Sequence, residues 1–177
     1  RFVEYDPSLD SWTAKADMPS IGTFFKSERH AAVGFSIGNK GYVGLGIGSG
    51  FFGGTFYFQD FNEYDPSTNT WLNKTSIPEH PLLDAVGFSI GNKGYVGTGY
   101  YYDGSNHYYK GFWVYVPATN SWVSRADFGD TVGSARRAAA GFSIGNKGYI
   151  GTGYDGSTSL KDFWAYEAGQ ELLYGYF

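Results

Sequence analysis

The chain has 177 residues, enough for one domain, and 42% of them are hydrophobic, so it can build a core. Charged residues make up 17% and the formal net charge is −4, which argues against a nucleic-acid-binding domain, because such domains carry a basic patch. The 27 Gly, 16 Tyr and 15 Phe are typical of short strands and tight turns rather than helices.

Two residue types that bind metals are scarce in the chain. Cys is absent, so the sequence predicts no disulfide, no thiolate metal site and no cysteine nucleophile. With three His, a multi-histidine centre is not expected either, and we predict no metal and no cofactor. No apolar run approaches the roughly 20 residues of a membrane-spanning helix, so we expect no membrane insertion.

Strands are predicted from the start of the chain. Residues 1–16 contain Glu-Tyr-Asp-Pro-Ser followed by Trp12, which predicts two strands and a turn, because Pro presets φ and Asp bonds to nearby backbone. The string returns at residues 63–67 with Trp71, and a variant lies at 114–118 with Trp122. We therefore interpret these Trp residues as packing residues that recur in register.

A second string, GFSIGNKGY, occurs three times without change and predicts a hairpin each time. Gly and Asn at its centre tolerate the positive φ of a tight turn. A period of roughly 50 residues indicates a repeat architecture. The copies lie at residues 34–42, 87–95 and 141–149. The first repeat is predicted to have strands at residues 31–37, 42–47, 61–64 and 71–74.

The repeats resemble the kelch family. Four antiparallel strands per roughly 50 residues form the blade of a β-propeller. The string Tyr-Asp-Pro-Ser-x-x-x-Trp, followed by residues 16–19 and then by an Arg before the next first strand, is similar to a kelch repeat. The kelch diglycine is spread out as Gly-x-Gly, as in a bacterial kelch-like variant, at residues 44–46, 97–99 and 151–153. The resemblance covers nearly the whole chain and implies an all-β propeller of four-stranded antiparallel blades.

The strand count gives about three and a half blades. We expect the third and fourth strands of one blade at residues 1–16, complete blades at 29–75 and 82–126, and an atypical last blade at 137–177. Propellers have about 4–8 blades, and an open sheet edge favours association. We therefore expect the propeller to be closed by self-association or by the remainder of a longer chain.

The long loops are the expected binding surface. Strand order places the two tight turns of each blade on one face and the 2–3 and 4–1 connections on the other, which we call the long-loop face. Aromatic clusters there could stack on sugar rings or receive peptide side chains. The alternative is that the aromatic rings pack on each other to order the loops. They are Phe51, Phe52, Phe56, Tyr57, Phe58, Tyr100, Tyr101, Tyr102, His107, Tyr108 and Tyr109.

Charged residues precede each first strand, which is innermost in kelch-like propellers, so the resemblance implies that they rim a channel. Arg29 and Arg136 could fork onto a carboxylate or another anion. The alternative is a salt-bridged rim, such as Arg29 with Glu28. The predicted ligand- or partner-binding residues are Arg29, His30, Tyr101, Tyr102, Tyr108, Arg136 and Arg137.

No catalytic residue is predicted, because no nucleophile–base spacing and no phosphate-binding loop occurs. A copper site like that of kelch-type galactose oxidase would need a Tyr cross-linked to Cys. We expect a non-catalytic binding scaffold with a glycan or peptide ligand, at a bacterial cell surface or secreted. One alternative is a carbohydrate-active kelch enzyme of the sialic-acid mutarotase type, which uses channel-rim Arg and Glu. Another is a purely structural assembly module.

Overall fold

The structure is a computed structural model that describes residues 1–21, 25–50, 53–129, 133–168 and 173–176. These residues form an all-β structure with a single 3-10 turn at Pro117–Thr119. The strands are β1 (Phe2–Asp6), β2 (Ser11–Lys15), β3 (Phe25–His30), β4 (Val33–Ile37), β5 (Lys40–Gly44), β6 (Ile47–Gly50), β7 (Thr55–Tyr57), β8 (Phe61–Asp65), β9 (Thr70–Lys74), β10 (Val86–Ile90), β11 (Lys93–Tyr102), β12 (Asn106–Val116), β13 (Ser121–Arg125), β14 (Ala140–Ile144), β15 (Lys147–Gly151), β16 (Phe163–Glu167) and β17 (Leu173–Tyr176).

Three antiparallel four-stranded sheets follow one another along the chain. Their strand orders are β4-β5-β8-β9, β10-β11-β12-β13 and β14-β15-β16-β17, and we call them blades 1, 2 and 3. Strands β1 and β2 form a separate pair, which we call the half-blade. Each GFSIGNKGY string folds as the predicted hairpin, with Gly34, Gly87 and Gly141 opposite Val43, Val96 and Ile150.

The connections between second and third strands differ from the expected loops. In blade 1 the chain leaves the sheet after Gly44 and forms a three-stranded sheet, β3-β6-β7. In blade 2 the strands continue, so that β11 and β12 form a long hairpin past a bulge between Gly97 and Gly99. The aromatic residues assigned to loops are therefore partly strand residues, and period-two alternation decides which way they face. Phe51 and Phe52 lie outside the described residues.

Backbone conformation repeats as regularly as the sequence. Non-glycine residues with φ between 46° and 61° occur at three positions of the repeat, where a side chain costs strain. The middle residue of each Gly-x-Gly string occupies one of these three positions. Its positive φ bends the backbone, and this kink directs the chain out of the blade after β5 and after β15. The residues are Asp10, Asn69 and Asn120 in the turns, Leu45, Thr98 and Thr152 in the Gly-x-Gly strings, and Ala31, Asp84 and Ala138 before the first strands.

Neighbouring blades are joined at their first strands. The backbone N–H of Asp84 donates to the carbonyl of Ala31 at 3.1 Å, and that of Ala138 donates to the carbonyl of Asp84 at 3.1 Å. The Phe35 ring of blade 1 lies over Gly94 of blade 2, where an added Cβ would clash with the ring. Glycine at this position is what allows two sheets to pack face to face.

The recurring Trp residues pack against the preceding unit, with one exception. The indole N–H of Trp71 donates to the carbonyl of Ala16 at 2.7 Å, and that of Trp122 donates to the carbonyl of Thr75 at 2.8 Å. Trp12 is 68% exposed, because the described chain has no unit before the half-blade. The interpretation of Trp12 as a buried packing residue is therefore wrong. A Trp at this position of the repeat is covered only where a preceding unit packs against it.

The described residues do not close a ring. Ile144 in β14 is 65% exposed and Phe142 is 42% exposed, although their counterparts Ile90 and Phe88 in blade 2 are 7% and 3% exposed. The outer side of blade 3 is therefore uncovered in the described part of the chain. Among the described residues, no helix is long and apolar enough to cross a membrane.

Candidate functional site

The β11–β12 hairpin projects from blade 2 on the long-loop face. Cross-strand pairing sets Tyr100 opposite Tyr108 and Tyr101 opposite His107. Since neighbouring residues of a strand face opposite sides, Tyr100 and Tyr101 point to different sides of the hairpin. The hairpin therefore carries two separate aromatic clusters, one on each of its sides.

One cluster faces blade 1, and we call it the His80 cluster. The exposed His80 ring stacks on Tyr101 at a centroid distance of 5.7 Å and lies 5.2 Å from Tyr109. Tyr57 packs edge-on against Tyr101 at 5.1 Å. Burial raises the pKa of Tyr109, and the nearby Glu79 carboxylate adds to the shift. The aromatic rings of this cluster therefore pack on one another, and they hold the β11–β12 hairpin against blade 1.

The second cluster faces blade 3, and we call it the Arg137 cluster. The Arg137 guanidinium lies 4.7 Å from the centre of the Tyr100 ring and 5.9 Å from that of Tyr154. Tyr108 lies 5.3 Å from Tyr100 and 6.1 Å from Tyr154. Tyr102, two residues beyond Tyr100 on the same side of β11, is 46% exposed. Three of the predicted binding residues, Tyr102, Tyr108 and Arg137, thus lie on one side of the hairpin.

Arg137 has no ion pair within the part of the chain that the structure describes. Its position is fixed by backbone hydrogen bonds, in which Arg137 and Tyr154 each donate an N–H to the carbonyl of the other at 3.0 Å. A half-buried guanidinium on an aromatic ring keeps its N–H edges free for an acceptor while the ring stabilises its charge. The Arg137 cluster can therefore bind an anionic group beside exposed tyrosine rings.

Arg29 and Arg136 are not arranged to hold a ligand. Arg136 is fully buried, and both of its Nη atoms donate to the two oxygens of Asp162 at 2.6 Å. Arg29 forks onto Asp60 at 2.6 and 3.0 Å rather than pairing with Glu28. Because both guanidiniums are already satisfied inside the protein, the expectation that they present a free fork to an anion differs from the structure.

The two pairs share the rest of their surroundings. Arg136 Nη1 donates to the Thr152 carbonyl at 2.9 Å, and the guanidinium lies 4.7 Å from the centre of the Phe128 ring. Arg29 Nη1 donates to the Leu45 carbonyl at 3.2 Å and lies over Phe58 at 3.8 Å. Each Arg thus ties the segment before a first strand to the Gly-x-Gly kink of its own blade.

Blade 2 replaces both members of this ion pair. By register with the repeated Gly-x-Gly and Phe residues, Leu82 stands where blades 1 and 3 have Arg, and Gly111 stands where they have Asp. Leu82 is 2% exposed and packs with the buried Ile77. The fold therefore accepts an apolar residue and glycine together in place of the buried charges.

Lowering the pH should destabilise blade 3, because protonation of Asp162 removes the charge that pairs with Arg136. Hydrogen bonds from Arg136 hold the pKa of Asp162 below its ordinary value. A lowered folded-state pKa stabilises the fold above the unfolded pKa of about 3.9, and this stability is lost as pH falls through the folded value. We expect the free energy of unfolding to fall between about pH 5 and pH 2, and to fall less in an Arg136→Leu/Asp162→Gly double variant. Urea titrations across this pH range measure the difference, and equal acid slopes would contradict it.

His30 lies apart from the hairpin. It is exposed, pairs with Ile47 in the β3-β6-β7 sheet, and lines a cleft of about 560 Å³ with Glu28, Ser49 and Thr55. His30 and Arg137 occupy equivalent positions of the repeat, one before blade 1 and one before blade 3. No group of His, Asp and Glu suited to a metal ion occurs in the described ranges.

Sequence reasoning missed the partners of the charged residues. Asp60 and Asp162 recur at one repeat position, and both disappear in blade 2 together with the Arg, so their pairing was visible as a coupled replacement. Tyr154 was likewise not assigned a role. Tyr154 directly follows its Gly-x-Gly string, as Tyr100 does in blade 2. This shared repeat position could have identified Tyr154 as a candidate.

Comparison with known proteins supports the fold. No family model and no curated protein matches the chain in sequence. A solved structure titled "Structure of YjhT" superposes with a TM-score of 0.78 at 20% identity, covering 94% of this chain and 55% of that one. That protein is a kelch-type β-propeller, so the blades described above have a propeller-like arrangement. The chain spans about half the length of this neighbour.

Proposed function

We propose that this chain is a non-catalytic scaffold that binds an acidic glycan at the Arg137 cluster. The observation that carries the proposal is Arg137 itself, which lies on the Tyr100 ring with no carboxylate partner among the described residues. A glycan carboxylate would accept hydrogen bonds from the guanidinium, and a sugar ring would stack on Tyr102, which is 46% exposed. His30 and Tyr101, which were also predicted to bind, lie outside this cluster.

The proposal is tested with sialyllactose, with lactose as the neutral control and polyglutamate as the acidic-peptide control. Arg137→Ala should weaken sialyllactose binding about 10-fold to 100-fold, the loss expected when a charge-assisted hydrogen bond worth about 1.5–3 kcal/mol is removed. Asn92→Ala, on the opposite face, should leave the dissociation constant unchanged. Calorimetry measures both. Equal binding of lactose and sialyllactose, or preferential binding of polyglutamate, would contradict the assignment.

A carbohydrate-active enzyme is the second candidate. The structural neighbour YjhT is a sialic acid mutarotase, which is consistent with this alternative, although 20% identity supports the fold alone. The enzyme reading requires Arg and carboxylate groups open to a substrate, whereas Arg29 and Arg136 are each engaged by an aspartate. NMR exchange between the anomers of free sialic acid tests it directly. Acceleration by the protein would favour the enzyme over the binding scaffold.

A further inference from the structure

The aspartates of the two buried ion pairs accept a further hydrogen bond from one shared position of the repeat. In blade 1 the side-chain amide of Asn62 donates to Asp60 Oδ2 at 2.6 Å. In blade 3 the indole N–H of Trp164 donates to Asp162 Oδ2 at 2.8 Å. The donor stands two residues after the aspartate in both blades. A side-chain donor at this position therefore identifies the place of the carboxylate.

Blade 2 keeps a carboxylate at this place, although glycine stands where the aspartate would be. The residue two positions after Gly111 is Trp113, and its indole N–H donates to Glu79 Oε2 at 3.2 Å. A Cβ on Gly111 would lie 2.7 Å from the same oxygen. The carboxylate of Glu79, which comes from the connection between β9 and β10, therefore occupies the space of an aspartate side chain.

The arginine of the ion pair has no such substitute in blade 2. Leu82 takes its position, and Glu79 has no ion pair within the described part of the chain. Glu79 Oε1 accepts the backbone N–H of His80 at 3.2 Å. A carboxylate has about four acceptor sites, so this bond and the one from Trp113 leave acceptor sites unused. Glu79 is therefore a half-buried carboxylate whose charge has no partner.

The carboxylate opens to a cleft between the blade 1 connection and the segment before blade 2. The cleft has a volume of about 380 Å³ and is lined by Gln59, Pro78, Glu79, His80 and Pro81. Its two sides are joined by Gln59 Nε2, which donates to the carbonyl of Ile77 at 3.3 Å and to that of Glu79. The position of the carboxylate in the cleft is therefore fixed before any ligand binds.

The aromatic rings of the His80 cluster stand beside this carboxylate. Burial raises the pKa of Tyr109, and the Glu79 charge raises it further, so the two groups are close enough to interact. The His80 ring is exposed. In blades 1 and 3 the guanidinium that pairs with the aspartate also lies over a phenylalanine ring, at 3.8 and 4.7 Å from its centre. Blade 2 thus combines a carboxylate with aromatic rings but lacks the guanidinium.

We propose that Glu79 and the His80 cluster bind an arginine side chain of a partner polypeptide. The guanidinium donates hydrogen bonds to the free acceptor sites of Glu79 and stacks on the exposed His80 ring. A lysine ammonium lacks the planar fork that makes both contacts together. A hard metal ion prefers several oxygen ligands, whereas the described lining of this cleft offers one carboxylate. The site lies on the side of the β11–β12 hairpin that faces away from the Arg137 cluster.

The probe is the peptide acetyl-Gly-Arg-Gly-amide, followed by NMR through the indole N–H signal of Trp113 and the ring signals of His80. We expect both sets of signals to shift in a saturable titration. Glu79→Gln should weaken binding about 10-fold, because the hydrogen bonds to the guanidinium lose their charge assistance. The variant should keep the fold, since its amide oxygen can still accept from Trp113. Asp127→Asn, which removes an exposed carboxylate elsewhere, should bind the peptide as wild type does.

A second variant tests the aromatic part of the site. His80→Ala removes the ring beside the carboxylate, and binding should weaken about 2-fold to 5-fold, as for a cation–ring contact at an exposed position. Because His80 is exposed, the variant should fold as wild type does. Unchanged binding by His80→Ala would contradict the stacking of the guanidinium on this ring.

Two altered peptides contain the remaining results that would overturn the proposal. Citrulline in place of arginine keeps the shape but removes the charge, so this peptide should give no saturable shifts. Lysine keeps the charge but not the planar fork, so it should bind more weakly than arginine. Equal binding of the arginine peptide and either altered peptide would refute the proposal. Absence of saturable shifts with the arginine peptide, or equal losses in Glu79→Gln and Asp127→Asn, would refute it as well.

Discussion

Replacing Asp162 by Gly should lower the free energy of unfolding by about 3–5 kcal/mol, the usual loss when one partner of a buried ion pair is removed. Arg136 is fully buried, and its guanidinium would lose both hydrogen bonds to the carboxylate. The backbone carbonyls of Ser134 and Thr152 would still accept from it but would not neutralise its charge. Urea unfolding, read as a shift in midpoint, measures the loss.

The control for this variant comes from blade 2. An Arg136→Leu/Asp162→Gly double variant reproduces the Leu82 and Gly111 that stand at these positions there. It should be more stable than the Asp162→Gly single variant, because no unpaired charge remains buried and an apolar side chain takes its place. If the double variant were as unstable as the single one, the ion pair would not be the cause of the loss.

Truncation of Trp122 should be the second large effect. Trp122→Ala removes ring contacts at 4.9 Å with Phe61 and 5.0 Å with Tyr115, together with the hydrogen bond to the Thr75 carbonyl. We expect a loss of about 3 kcal/mol, at the lower end for a large aromatic residue because the side chain is only half-buried.

Trp12→Ala is the matched control for the Trp122 variant. Trp12 has the same place in the repeat but is 68% exposed, so its removal should cost less than about 1 kcal/mol. Thermal unfolding of both variants compares one sequence position with and without a preceding unit. Equal losses would show that packing between blades is not what the Trp residues contribute.

The hairpins and turns of the fold could be predicted because they depend on local chemistry. Gly-Asn turns and alternating apolar residues gave the GFSIGNKGY hairpins in their observed register. The β3-β6-β7 sheet could not be predicted in this way. It pairs residues before blade 1 with the connection inside that blade, and such pairing depends on where the Gly-x-Gly kink redirects the chain.

The sequence identified residues of the candidate site, but it did not show how they are arranged around the β11–β12 hairpin. Tyr102, Tyr108 and Arg137 were identified from their loops, and the structure brings them to one side of the β11–β12 hairpin. Which side each residue faces follows from strand pairing beyond the bulge, and the sequence does not display that pairing. The charge of Arg136 likewise pointed to an anion, and the anion is Asp162 of its own blade.

Binding to the long-loop face is tested most directly by mapping sialyllactose onto the chain with NMR. Amide and ring signals should shift at Tyr100, Tyr102, Tyr154 and Arg137 in a saturable titration, while signals of the turns at Asn39, Asn92 and Asn146 stay in place. In Arg137→Ala the same shifts should need about 10-fold to 100-fold more sialyllactose, while the signals of the three turns stay as in wild type. Saturable shifts confined to the three turns would place the ligand on the opposite face and contradict the account.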